Sequence, residues 1–205
     1  MSTLLASAAN LATGVAAWMS RSDLTGDIPT MIVLAEAKLN RLLRSLEHET
    51  INPAFPINAE YVPVPFDFLE FKSGYLNTSP KRPLYYIPSD TQTELFGSGS
   101  NFPKYFTMDG TNFRFGPAPD GTYSATMVYY SKLPTLSGVG VQTNWLLANH
   151  PEVFLYGTIL EASGKVQDDS LTQKYQAAVA EVVQQIKNAD QRKRYGGNGM
   201  AVRVA

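Results

Sequence analysis

The sequence contains no cysteine, so a disulfide framework and a thiolate-bound metal are both excluded. Histidine is nearly as scarce. Only His48 and His150 occur, and neither has a carboxylate or a second histidine at metal-ligand spacing, so no zinc or non-haem iron site is expected. Charge is also sparse, at 17% of residues with a formal net charge of -1. That balance argues against nucleic-acid binding by the molecule as a whole and leaves only local basic segments as candidates. Gly97 and Gly99 are not followed by a lysine and a helix, so no phosphate-cradling loop is formed. No serine sits between glycines at nucleophile-elbow spacing, and no cofactor is expected. The first positive charge, Arg21, follows the first apolar stretch instead of preceding it, which is not the layout of a secretory signal and leads to the expectation of an intracellular protein.

What is present is organised around the stretch 143–165. Residues 153–160 carry no charge and place apolar side chains on every side of a helix, so the segment reads as a helix buried all round. Eight residues are far too few to cross a bilayer, so other protein must cover it and no membrane is expected as partner. Asn149, Pro151 and Glu152 look like its cap, first residue and capping box. Gly157 and Gly164 lie on one face and would let a neighbouring helix approach.

Three further amphipathic helices are expected, near 4–19, 28–47 and 170–188. The second opens at Asp27 with Pro29 behind it and keeps Glu36, Lys38, Asn40, Arg41 and Arg44 off its apolar stripe. The last is capped by Asp168, Asp169 and Ser170. Between them, prolines punctuate short aromatic and β-branched runs, which suggests strands at 61–64, 71–76, 84–87, 105–108, 111–115 and 123–130 and a short helix at 89–96. Asp109 and Gly110 suggest a type I′ hairpin turn.

The expected fold class is α+β: a four-helix bundle built from both ends of the chain, with an inserted small antiparallel β domain and an extended C-terminal tail. The expected boundaries are 1–50 with 140–189 for the discontinuous bundle, 51–139 for the insertion and 190–205 for the tail. Three carboxylate pairs, Asp67 with Glu70, Asp109 with Asp120 and Asp168 with Asp169, invite a glycosidase reading. Turn and cap roles explain them more simply. The tail holds Arg192, Lys193, Arg194 and Arg203 with Tyr195, which supports an alternative reading as a nucleic-acid-binding accessory protein.

Four segments carry a resemblance that spans nearly the whole chain: AAWMSRSDLTGDIPTMIVLAEAKLNRLLR, VPVPFDFLEFKSGYL, FRFGPAPDGTYSATMVYYSKLP and TNWLLANHPEVFLYGTILEAS. In order and spacing they resemble the head-to-tail adaptor proteins of tailed bacteriophages, especially short-tailed phages. The resemblance implies a virion structural protein with no enzymatic activity, assembled as a homo-oligomeric ring, a dodecamer, beneath the portal protein. Such a ring would join the portal to the distal tail proteins, nozzle or fibre, and leave a channel through which DNA passes without sequence-specific binding. On this reading Arg192, Lys193, Arg194, Tyr195, Met200, Val202, Arg203 and Val204 are expected to dock on the portal. Glu36, Arg41 and Arg44 are expected to contact neighbouring subunits.

Overall fold

A computed structural model describes residues 5, 7–96, 99–136 and 143–195. Among these residues there are six α-helices: α1 (Ala8–Met19), α2 (Ile28–Leu42), α3 (Ser89–Leu95), α4 (Trp145–Asn149), α5 (Pro151–Val166) and α6 (Asp169–Tyr195). The chain divides into two compact units, Met1–Glu47 with Leu133–Ala205 and His48–Lys132.

In the first unit α5 is the hub. Val153, Phe154, Leu155, Ile159 and Ala162 are buried on its different sides, and α1, α2 and α6 are each laid against it. The absence of charge from 153 to 160 is the cause, because no face of this helix can be left to water. Gly157 admits α2 closely: a Cβ there would lie 3.4 Å from that of Ala35. Gln167, in the left-handed region at φ 58°, ends α5. Asp168 then starts α6, its Oδ1 accepting from the backbone N–H groups of Ser170 and Leu171 at 3.0 Å.

The fold departs from the expected four-helix bundle with a small insertion and an extended tail. Three helices surround one central helix, where a bundle would set four around a shared axis. The central helix starts at Pro151 as expected, and a separate short helix, α4, precedes it, because Pro151 has no N–H with which to continue α4. The cap expected at Asn149 is not formed: His150 precedes α5 with no side-chain cap bond, Asn149 bonds back to the Trp145 carbonyl, and Asn144 caps α4, its Oδ1 accepting from Leu147 N at 2.9 Å. Asp27 makes no cap bond and pairs with Lys165 instead. Residues 190–195, expected as the start of an extended tail, form the last turns of α6. They are held by partners remote in sequence: Asp190 Oδ1 accepts from Leu46 N at 2.7 Å, and Lys193 pairs with Glu47.

Strand content is the other departure, since ten strands among the described residues are more than a small insertion. They are β1 (Glu49–Ile57), β2 (Tyr61–Pro63), β3 (Phe68–Leu76), β4 (Arg82–Pro83), β5 (Tyr85–Tyr86), β6 (Ser100–Asn101), β7 (Tyr105–Asp109), β8 (Asn112–Gly116), β9 (Ala118–Pro119) and β10 (Tyr123–Ser131). One sheet runs β1-β10-β3-β4, a second runs β2-β8-β7-β5, and β6 pairs with β9. All pairings are antiparallel except β5 with β7 and β6 with β9. Pro53 and Pro56 hid β1 from a sequence reading. Both are tolerated because β1 is an edge strand and its register shifts between Asn52 and Phe55, around Pro53. The β7–β8 hairpin also moves by one residue. Asp109 pairs with Asn112, so the loop is Gly110–Thr111, and Gly110 at φ 61° supplies the positive dihedral at its first position, the type II′ pattern in place of I′. The two four-stranded sheets share an aromatic core, with Phe55 edge-on to Phe113 at 5.9 Å and Phe71 to Phe106 at 4.6 Å.

Candidate functional site

The basic residues near the C-terminus are partly spent inside the first unit. Arg194 Nε donates to Asp190 Oδ2 at 2.7 Å one turn earlier, and Asp190 is only 7% exposed. The Lys193–Glu47 pair holds the Lys193 ammonium above its usual pKa and the Glu47 carboxyl below its own. Arg192 and Tyr195 are exposed on the same turns. Met200, Val202, Arg203 and Val204 lie outside the described residues. A nucleic-acid interface built on this segment therefore loses two of its cations to intramolecular pairs.

The three residues expected at subunit contacts, Glu36 and Arg41 on α2 and Arg44 just beyond its end, are placed differently from one another. Glu36 turns inward and is 4% exposed, with Oε2 accepting from the backbone N–H of Leu136 at 2.9 Å. Burial raises its pKa, and the bond from Leu136 opposes that rise. Asn40, one turn on, accepts from Leu133 N at 2.9 Å, so this polar stripe satisfies the backbone of 133–136 where the chain re-enters the unit. Arg44 Nη1 donates to the carbonyls of Asn40 and Leu43, both at 2.7 Å. Arg41 is exposed and makes no ion pair among the described residues.

One member of each carboxylate pair has a structural partner. Asp67 Oδ1 accepts from the Tyr129 hydroxyl at 3.1 Å, Asp120 accepts from that of Tyr123, and Asp168 is the α6 cap. Among the described residues no group of three or more histidine, aspartate or glutamate side chains is arranged to hold a metal, and no helix is long and apolar enough to cross a membrane.

Two features were not singled out from sequence. Phe66 is 93% exposed at the tip of a turn closed by Phe68 N donating to the Pro65 carbonyl at 3.0 Å. The turn is fixed on both sides, by Lys132 N on the Asp67 carbonyl at 2.7 Å and by Val64 N on that of Thr111 at 3.0 Å. An aromatic side chain between Pro65 and Asp67 was the available signal. The second feature is a groove of about 520 Å³ where α2, α5 and α6 meet. Leu39, Leu42, Leu160 and Val179 line it, Gly157 and Gly164 leave it open, and the Lys38–Glu161 ion pair lies at its edge.

A rigidly held aromatic knob and an open apolar groove are the equipment of a protein that works by docking to other chains. A family model described as SU10 adaptor protein matches residues 6–203, nearly the whole chain. The chain belongs to that family and is an adaptor, in agreement with the resemblance to phage head-to-tail adaptors. No curated protein matches it.

Proposed function

We propose that this adaptor works as one subunit of a closed ring, a dodecamer, seated below the portal of a phage particle. The ring joins the portal to the distal tail proteins and leaves a central channel for DNA, which passes without sequence-specific contact. The observation that carries the reading is the family match over residues 6–203, which leaves almost none of the chain for another task. Rings of identical subunits arise from heterologous contacts that close by rotation, and the exposed Arg41 on α2 is available for such a contact. In this proposal Arg192 and Tyr195, with Met200, Val202, Arg203 and Val204 beyond them, dock on the portal. The role is structural, and the particle is assembled in the host cytoplasm.

Electron microscopy of the purified chain mixed with assembled portal tests the proposal. A ring of twelve subunits on the portal is expected, and a chain that stays monomeric beside assembled portal overturns it. Removing residues 196–205 should abolish attachment while Arg192 and Tyr195 remain. Attachment at parental affinity would move docking to the helices or to the β unit.

A further inference from the structure

Phe66 and the α2–α5–α6 groove are complementary features of one chain. The knob needs no reshaping to bind, because backbone hydrogen bonds fix its turn on both sides and Pro63 and Pro65 stiffen the approach. A solvent-facing phenylalanine on so rigid a mount contributes nothing to its own unit, whose aromatic core does not include it. The groove has the opposite defect. Its walls are mainly leucine, valine and alanine, with Thr172 and Gln176 on the α6 side, and a Cβ at Gly164 would meet nothing within 4 Å. At about 520 Å³ it has ample room for a phenyl ring.

Charges beside the two features match as well. Asp67 follows Phe66 directly, and although Lys38 at the groove is paired with Glu161, Arg41 three residues on along α2 is exposed and has no ion-pair partner among the described residues. Between two copies Asp67 beside the knob meets Arg41 beside the groove, which favours encounter in this orientation.

We infer that Phe66 of one copy seats in the α2–α5–α6 groove of the next copy, with Asp67 facing Arg41, and that this is a subunit contact of the ring. The inference rests on the ring reading above. Knob and groove lie at different places on the chain, so the contact is heterologous, the kind from which rings close.

The test combines two variants with one cross-link. Phe66→Ala removes a side chain with nothing packed on it, and Gly164→Leu fills the groove from within its own helix. Both should leave the melting temperature of the free subunit unchanged or raised, since leucine is a better helix former than glycine. Each should cut ring formation on assembled portal by about tenfold or more, the loss typical of an anchoring aromatic. A photo-reactive phenylalanine analogue at position 66 in the full chain, assembled on portal from a mixture of isotopically labelled and unlabelled copies, then identifies the neighbour. Adducts joining position 66 to residues 35–42 or 157–180 of a different copy support the contact. Rings that form but give adducts only to the portal, to a tail protein or within the same copy overturn this inference and leave the ring standing. If no ring forms with the parent chain, the ring reading and this contact fall together.

Discussion

Replacing Glu36 by glutamine should leave the helical unit at least as stable as the parent at neutral pH, whereas replacing it by alanine should weaken it. The carboxylate is buried, and its Oε2 is the acceptor for the buried N–H of Leu136. Alanine removes the acceptor, which strands that donor at about 1–3 kcal/mol, and deletes a buried methylene worth about 0.8 kcal/mol. Relief of the buried charge offsets part of this. A net loss of about 2 kcal/mol remains, or roughly 4–8 °C in melting temperature for a chain of this size. Glutamine keeps an oxygen for Leu136 and discards the charge whose desolvation raises the Glu36 pKa. The sign follows from that direction. A folded-state pKa above the ordinary value means that the contribution of Glu36 is fully present below the ordinary carboxyl range and is lost as pH rises through the raised value. The advantage of Glu36→Gln is therefore largest near neutrality and disappears in acid, where the parent side chain is uncharged as well. Circular dichroism melts of the parent and both variants at about pH 7 and about pH 4 measure this. If Glu36→Gln proves as damaging as Glu36→Ala at both values, Glu36 is not acting as a neutralisable acceptor and the reasoning is refuted.

Asp190→Ala should cost about 2–3 kcal/mol in urea unfolding, because Leu46 N loses its acceptor and Arg194 its carboxylate. Unchanged stability would mean that the last turns of α6 fray in solution. Phe154→Ala, at a fully buried position of the hub, should cost about 3–5 kcal/mol and lower the helical signal before the β unit responds. Tyr129 is pushed up to about 12, by burial first and by the Asp67 carboxylate next. Its contribution is complete below the ordinary tyrosine range and is lost as pH rises through about 12. Tyr129→Phe should cost about 1 kcal/mol near neutrality and flatten the alkaline loss of stability, as denaturation at about pH 7 and about pH 11 will show.

The features legible in the sequence are those set by neighbours a few residues apart. The uncharged run 153–160 announced a helix with no solvent face, and Asp168 announced a cap, because both signals fit within a turn or two. The features that were missed depend on distant partners. DQRKRY looked like a tail since its one local acid, Asp190, is outnumbered by three cations, and the remote partners Leu46 and Glu47 lie far away in the sequence. Glu36 looked solvent-facing until the backbone of Leu136 came to meet it. Pro53 and Pro56 argued against a strand at 49–57, and only its place at the edge, beside β10, makes room for them. Phe66 and the groove escaped notice for a related reason. Sequence gives hydrophobicity but not exposure, and a groove is a property of three helices at once.

The pairing of β1 with β10 has a consequence for inheritance. Glu49, at the start of β1, faces Tyr130, near the end of β10, so the chain enters and leaves this unit about 5 Å apart, one strand spacing. Residues 48–132 thus form a cassette with a single doorway. Recombination at that doorway can exchange the whole set of sheets for a different one, or for a short turn from Glu47 to Leu133, without lengthening any connection in the helical unit. Chains of this kind are free to change what their β cassette touches while the helical unit stays the same.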